Sequence, residues 1–419
     1  MEGIEFGNGG KADLIVRNAG QLLTLAGPDV PRRGTDMCEL GIIEDGAVAV
    51  KGGRIVFAGR TRDCNWESET EIRASGRVVM PGFVDPHTHL VFAGTREDEF
   101  ELRLKGVGYK EIASRGGGIK STVQKTRQAL KAELMELAEP RLDDILRWGT
   151  TTVEIKSGYG LERATEMKML EVIRDLGKKH LADLVPTYLG AHDFPEEFSS
   201  DREGYVNEVI KVIPEVVARH LARFCDVFCE EGFFSVEQSR RILKAGLDHG
   251  LPAKIHADEL ASSGGAELAA ELKALSADHL TFASDRGLQA MGEAGTIPVL
   301  LPGTSFFLKA PSAPARKMID MGLPVAIGSD FNPGSCPISH MPVVIGLACI
   351  QYGLTPAEAI TASTINGACA LGLESEIATL ETGKKADLLV LRVENFGQIP
   401  YFFGANPVEA VVKGGEIVL

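Results

Sequence analysis

Apolar and polar positions follow two different patterns along this chain. Near the N-terminus, alternating or β-rich stretches at Ala12 to Arg17, Gly46 to Val50, Arg54 to Ala58 and Arg77 to Met80 predict short strands separated by Gly-Gly and Gly-Arg pairs. The C-terminus repeats that style in Ala386 to Leu391 and Ala410 to Leu419, where Lys413-Gly-Gly-Glu416 echoes Lys51-Gly-Gly-Arg54 as a hairpin turn. The two ends, residues 1–75 and 381–419, are therefore expected to form one small β-sandwich domain, with two separate hairpins on the core as the alternative.

Between them, over residues 76–380, short apolar strands alternate with helical stretches, the pattern of parallel strands joined by crossover helices. Eight strands are expected to end near His89, Ser157, His192, Glu230, His256, His279, Leu301 and Asp330. Helix starts are marked by Ser235-Val-Glu-Gln238 and Thr355-Pro-Ala-Glu358. Eight strand–helix units predict an α/β fold, a (β/α)8 TIM-like barrel. A doubly wound open sheet is the alternative, made less attractive because no Gly-x-Gly-x-x-Gly fingerprint follows the first strand.

Length and charge fit this division. The 419 residues accommodate a barrel of about 250 residues or more plus a smaller domain. A formal charge of −14 argues against nonspecific binding to nucleic acid or anionic membrane. The longest apolar run, Met341 to Ile350, falls short of the roughly 20 residues of a membrane helix. Seven scattered cysteines do not make a disulfide framework, and Cys225 and Cys229 lack a second ligand pair for structural zinc. A cytoplasmic protein is expected.

The histidines give the chemistry. Five of nine (His87, His89, His192, His256 and His279) fall at the C-terminal ends of expected strands, the catalytic face of a barrel. His180, His220, His249 and His340 fall in helical or loop segments and are expected at the surface. In His87-Thr-His89, two imidazoles two residues apart on a strand point the same way and can reach one metal ion. His256 and Asp330 would complete three nitrogens and one carboxylate around a position open to water. Glu259, in His256-Ala-Asp-Glu259, lies close enough in sequence to reach that water, and Asp330 ends an apolar run where a carboxylate is costly to bury without a cation or donor.

The ordered set His-x-His, His256-Ala-Asp-Glu259, Ala277-Asp-His279 and Gly328-Ser-Asp330 resembles the amidohydrolase superfamily over essentially the whole chain. Pro86 to Arg96, Gly116-Gly-Gly-Ile119, Glu154 to Leu161, Leu189 to His192 and Ser329 to Ser335 resemble, within it, the imidazolonepropionase family. That resemblance implies a metal-bearing barrel with an appended β-sandwich, a small anionic imidazolone substrate and a homodimer. The implied reaction is the opening of 4-imidazolone-5-propanoate to N-formimidoyl-L-glutamate in histidine degradation, by a metal-activated water attacking the cyclic amide carbonyl.

It further implies His87, His89, His256 and Asp330 as metal ligands, with Arg96, Tyr159, His192, Glu259, Asn332, Gly334 and Ser335 around substrate or product. His279 is expected to deprotonate or orient the water, and Glu259 to hold or protonate the ring nitrogen. Arg96 suits a carboxylate and Tyr159 a planar ring, the glycines beside Tyr159 placing it at an exposed loop tip. The fourth strand lacks the lysine that holds a second metal in many relatives, so one zinc ion per chain is expected, with iron the alternative. Lys156, on the second strand, either approaches the site or ends its strand at the rim. A purine or pyrimidine aminohydrolase of the same superfamily is the alternative function.

Overall fold

The computed structural model describes residues 9–107, 111 and 117–419. Eight parallel strands run in sequential order: β1 (Phe83–Asp85), β2 (Thr150–Lys156), β3 (Asp183–Ala191), β4 (Phe224–Cys229), β5 (Lys254–Ala257), β6 (Ser276–His279), β7 (Ile297–Leu300) and β8 (Ala326–Ile327). Helices pack between and outside them, and those starting after Ser235 and Thr355 carry full capping boxes. The ring closes just beyond the C-terminal ends of β8 and β1. There the His89 N–H donates to the Phe331 carbonyl at 2.9 Å and the Asp330 N–H donates to the His87 carbonyl at 2.9 Å. Barrel closure therefore brings the His87-Thr-His89 segment against Asp330, residues far apart in sequence.

The second sheet draws on both chain ends. Its strand path is Glu416–Ile417, Val408–Lys413, Leu388–Leu391, Val78–Pro81, Leu14–Leu23, Ile42–Lys51 and Arg54–Arg60, with Glu71–Arg73 beside Leu14–Leu23. Side-chain alternation divides its residues between cores. Val78 and Met80 join the large barrel core, whereas Val79 packs with Val16, Val48, Leu388 and Val412. Ile15, Ala47, Ala49 and Trp66 form a further cluster. Both Gly-Gly hairpins have positive φ at each glycine (57° and 74° at Gly52 and Gly53, 56° and 86° at Gly414 and Gly415), the backbone that a two-residue hairpin of this type demands.

All seven cysteines are unpaired. Among the described residues no helix is long and apolar enough to cross a membrane. His220 and His249 are exposed, but His180 and His340 are half-buried. His340 stacks on Trp148 at 3.9 Å and pairs with Asp144 at 2.6 Å; His180 faces Asp143 at 3.3 Å.

Candidate metal centre and active site

His87 and His89, expected on the first strand, lie just beyond the end of β1, and both present Nε2 to the same buried point. Asp85 ties this segment to β8, its carboxylate accepting from the Ser329 N–H at 3.0 Å and the His87 N–H at 3.4 Å. Burial pushes the Asp85 carboxyl up to about 7. The Nε2 atoms of His87 and His89 are 3.3 Å apart, and His256 Nε2, brought by β5, lies 3.4 Å from that of His89. Asp330 Oδ1 completes the group at 3.5 Å from His87 and 3.6 Å from His89. Asp330 holds a left-handed backbone, φ 53°, a conformation uncommon outside glycine and concentrated at functional sites. Its other oxygen accepts from the Thr304 hydroxyl at 2.6 Å.

Three imidazole nitrogens converging within 4.8 Å in a buried position, with a carboxylate oxygen beside them, fit one divalent ion. Burial, then neighbouring positive groups, holds His87 and His89 well below the usual histidine range, so both are neutral and present lone pairs. Carboxylates set the tautomers of His87 and His256. Asp278 accepts from His87 Nδ1 at 2.6 Å and Asp226 accepts from His256 Nδ1 at 3.2 Å, which leaves both Nε2 atoms facing the centre. Among the described residues His89 Nδ1 has no hydrogen-bond partner; its ring stacks on His192, centroids 4.9 Å apart.

Above this floor lies a cavity of about 420 Å³. His89, Arg96, Tyr159, His192, His256, Glu259, His279, Asp330, Asn332, Gly334 and Ser335 all line it, while His87 lies beneath. Ile119 of the Gly116-Gly-Gly-Ile119 motif also lines it; Gly116 lies outside the described residues.

Each wall has a local cause. Among the described residues the Arg96 guanidinium makes only a 3.6 Å ion pair with Glu99, and its buried Nε has no hydrogen-bond partner. Its donors are free toward the cavity. Tyr159, expected at an exposed loop tip, is instead 4% exposed. The flanking glycines serve close approach rather than exposure. A Cβ on Gly158, at φ 106°, would come within 2.9 Å of His192 Nδ1, and the Glu166 carboxylate gathers the N–H groups of Gly158, Gly160 and Leu161 at 2.7–2.9 Å, folding the loop inward. His192 donates from Nδ1 to the Gly158 carbonyl at 3.0 Å, and burial lowers its pKa to about 3. Asn332 is committed to its own loop: Oδ1 accepts from the N–H groups of Gly334 and Ser335, while Nδ2 donates to the Asp330 carbonyl and the Ser335 hydroxyl.

Glu259 and His279 face each other at 3.6 Å. Burial, reinforced by Asp330 and Glu230, pushes the Glu259 carboxyl up to about 8, while burial and His256 hold His279 well below the usual histidine range.

Asp226, Glu166 and Lys254 escaped the sequence reading as site residues, and Asp278 was noted only as part of Ala277-Asp-His279. For the three strand residues the available signal was a charge interrupting an apolar strand, costly unless paired; Glu166 lies in the helix Arg163–Gly177 and carried no such signal. Lys156, left between site and rim, is completely buried beneath the histidines.

A closed parallel barrel with this donor set at its C-terminal edge defines the architecture of a metal-dependent hydrolase, and the amidohydrolase family matches residues 78–418. Over 97% of both chains, the protein is 52% identical to the imidazolonepropionase of Symbiobacterium thermophilum. It is 50% identical to that of Geobacillus kaustophilus over 97% of this chain and 98% of the relative. The chain belongs to the amidohydrolase family and, within it, to the imidazolonepropionases. Solved structures share the fold at lower identity. A zinc-bound adenosine deaminase from Xanthomonas campestris has TM-score 0.68 and 21% identity, covering 98% of this chain and 93% of the other. An atrazine chlorohydrolase from Arthrobacter aurescens complexed with zinc has TM-score 0.69 and 15% identity, covering 97% and 95%.

Proposed function

We infer that the protein hydrolyses 4-imidazolone-5-propanoate to N-formimidoyl-L-glutamate, a step of histidine degradation. The observation that carries this reading is the 52% identity to an imidazolonepropionase over 97% of the chain. The Arg96 guanidinium, which lines the cavity with only a long ion pair to Glu99, supports it, because the substrate presents a carboxylate at one end and a cyclic amide at the other.

His87, His89, His256 and Asp330 would hold one ion, and three nitrogens with one oxygen suit zinc, with iron the alternative. Bound there, the metal supplies Lewis acidity, polarising a carbonyl and making water a stronger acid. Arg96 grips the propanoate through paired N–H donors. Tyr159 and His192 cover the ring, and Gly334 and Ser335 close the wall that Asn332 shapes. His279, held neutral by burial and lining the cavity beside Glu259, takes a proton from the attacking water as the new C–O bond forms. Glu259, whose carboxyl burial pushes well above the usual carboxylate range, gives one to the ring nitrogen as the C–N bond breaks. The two groups, 3.6 Å apart, can then pass a proton between them to restore the starting state.

Loss of imidazolonepropionate absorbance, followed with metal-replete enzyme, chelated enzyme and Arg96→Ala, tests the reading. Turnover is expected only with metal, and weakly in the variant. Deamination of a purine or pyrimidine with release of ammonia, and no action on imidazolonepropionate, would overturn it. A cytoplasmic homodimer is part of the same reading, to be checked by light scattering and fractionation.

A further inference from the structure

Below the histidine floor, where barrels normally stack apolar side chains, this one carries an ionic layer. Glu154 and Lys156 on β2, Asp226 on β4, Lys254 on β5 and Asp278 on β6 are all essentially inaccessible to solvent. Lys156 Nζ lies 2.8 Å from Asp226 Oδ2, 3.4 Å from Asp278 Oδ2 and 3.0 Å from Glu154 Oε2. Lys254 holds Glu154 from the other side at 2.9 Å. Asp226 and Asp278, which share the Lys156 ammonium, are the same carboxylates that accept from His256 and His87.

Such a layer is expensive. Well-packed apolar side chains would fill the space at no desolvation cost, and buried ion pairs often contribute less stability than hydrophobic replacements. What apolar side chains would not do is fix two imidazoles on opposite sides of the barrel in one tautomer and orientation. A single ammonium between the two carboxylates does so. It cancels their mutual repulsion and adds a shared cationic partner on Oδ2 of each, where the Ser276 hydroxyl and the Val227 N–H already hold Oδ1 of Asp278 and Asp226, so both carboxylates are pinned against their histidines.

We propose that Lys156 is a positioning residue for the metal centre, acting through Asp226 on His256 and through Asp278 on His87. The proposal rests on the reading of these histidines as ligands. Lys254 serves the same layer indirectly, by holding Glu154.

The experiment measures zinc affinity by chelator competition, together with the visible spectrum of the cobalt-substituted protein, for the wild type, Lys156→Met and Lys413→Met. Lys413 is a buried lysine in a comparable pair, 2.7 Å from Asp387 and 2.8 Å from Asp183, at the second sheet and away from the histidines. It controls for general destabilisation. Lys156→Met should weaken zinc binding about ten-fold, the lower end of the cost of losing a ligand's own hydrogen-bond partner because Lys156 acts one contact further out, and alter the cobalt bands. Lys413→Met should do neither. Zinc affinity of Lys156→Met within about two-fold of Lys413→Met, with unchanged cobalt bands, would overturn the proposal. If Lys156→Met does not fold, Lys156→Met/Asp278→Asn, which removes one charge of each sign, is compared with Asp278→Asn alone. A further loss of affinity supports action through Asp226, and equal affinity overturns it. A wild type that binds no zinc or cobalt would instead overturn the underlying metal reading.

Discussion

The guanidinium of Arg96 occupies the space that any side chain on Gly334 would need; a Cβ built on Gly334 would overlap its terminal nitrogen. The Gly334 carbonyl also accepts from Arg103 at 3.1 Å, so the loop cannot readily back away. Gly334→Ala should therefore displace Arg96 and raise KM at least about ten-fold with little change in Tm, because the cost falls on substrate binding. Arg96→Ala should give a similar KM, and the double variant should be no worse than Arg96→Ala, since both changes remove one interaction. Additive effects in steady-state kinetics would show that Gly334 acts otherwise.

Glu259 carries a pH signature in the metal-free protein. Its folded pKa of about 8 exceeds the ordinary 4.5, so the folded state binds the proton more tightly than the unfolded chain. Stability contributed by that proton is complete below about pH 4.5 and is lost as pH rises to about 8. Glu259→Gln, which cannot ionise, should thus melt higher than wild type at pH 8, with the difference shrinking toward pH 5. Thermal melts of the two chelated proteins across that range give the comparison. An advantage that grew toward acid pH would contradict the assignment.

Glu166 is buried and accepts three backbone N–H groups of the loop that carries Tyr159. Glu166→Ala leaves those donors without a partner and should destabilise the protein by about 3 kcal/mol or more. In protein that still folds, the loosened Tyr159 should raise KM more than it lowers kcat. Denaturant melts and substrate saturation curves measure the two effects.

Removal of the metal should affect stability as well as activity. An ion that binds only the folded site adds about 4 kcal/mol at a thousand-fold excess over Kd, so chelation should lower Tm by several degrees and re-addition of zinc should restore it. Asp330→Asn should reduce the zinc-dependent rise in Tm while leaving the metal-free Tm near that of wild type, because Thr304 can still donate to the amide oxygen. Calorimetry with and without chelator makes the measurement.

Much of this molecule was legible before its coordinates. Strand periodicity located all eight barrel strands, and the Gly-Gly pairs fixed both hairpins, because alternation and positive φ are local constraints. The His-x-His pair and the strand-end residues could be assigned to one rim because parallel strands in a barrel share a C-terminal face. Tyr159 was misplaced for the opposite reason: glycine neighbours permit a tight inward fold as readily as an exposed tip. The distant Glu166 carboxylate and His192 decide between them.

By itself, then, the sequence determined where the barrel strands and the Gly-Gly turns fall and the residue types that stand at the strand ends, since each follows from short-range geometry. Only the tertiary structure decided that Lys156 lies under the histidines between Asp226 and Asp278, that Arg96 rests on Gly334, and that Asn332 is spent on its own loop. Those are pairings across the barrel. They depend on register, tilt and the cost of burying charge, which no local pattern of residues records.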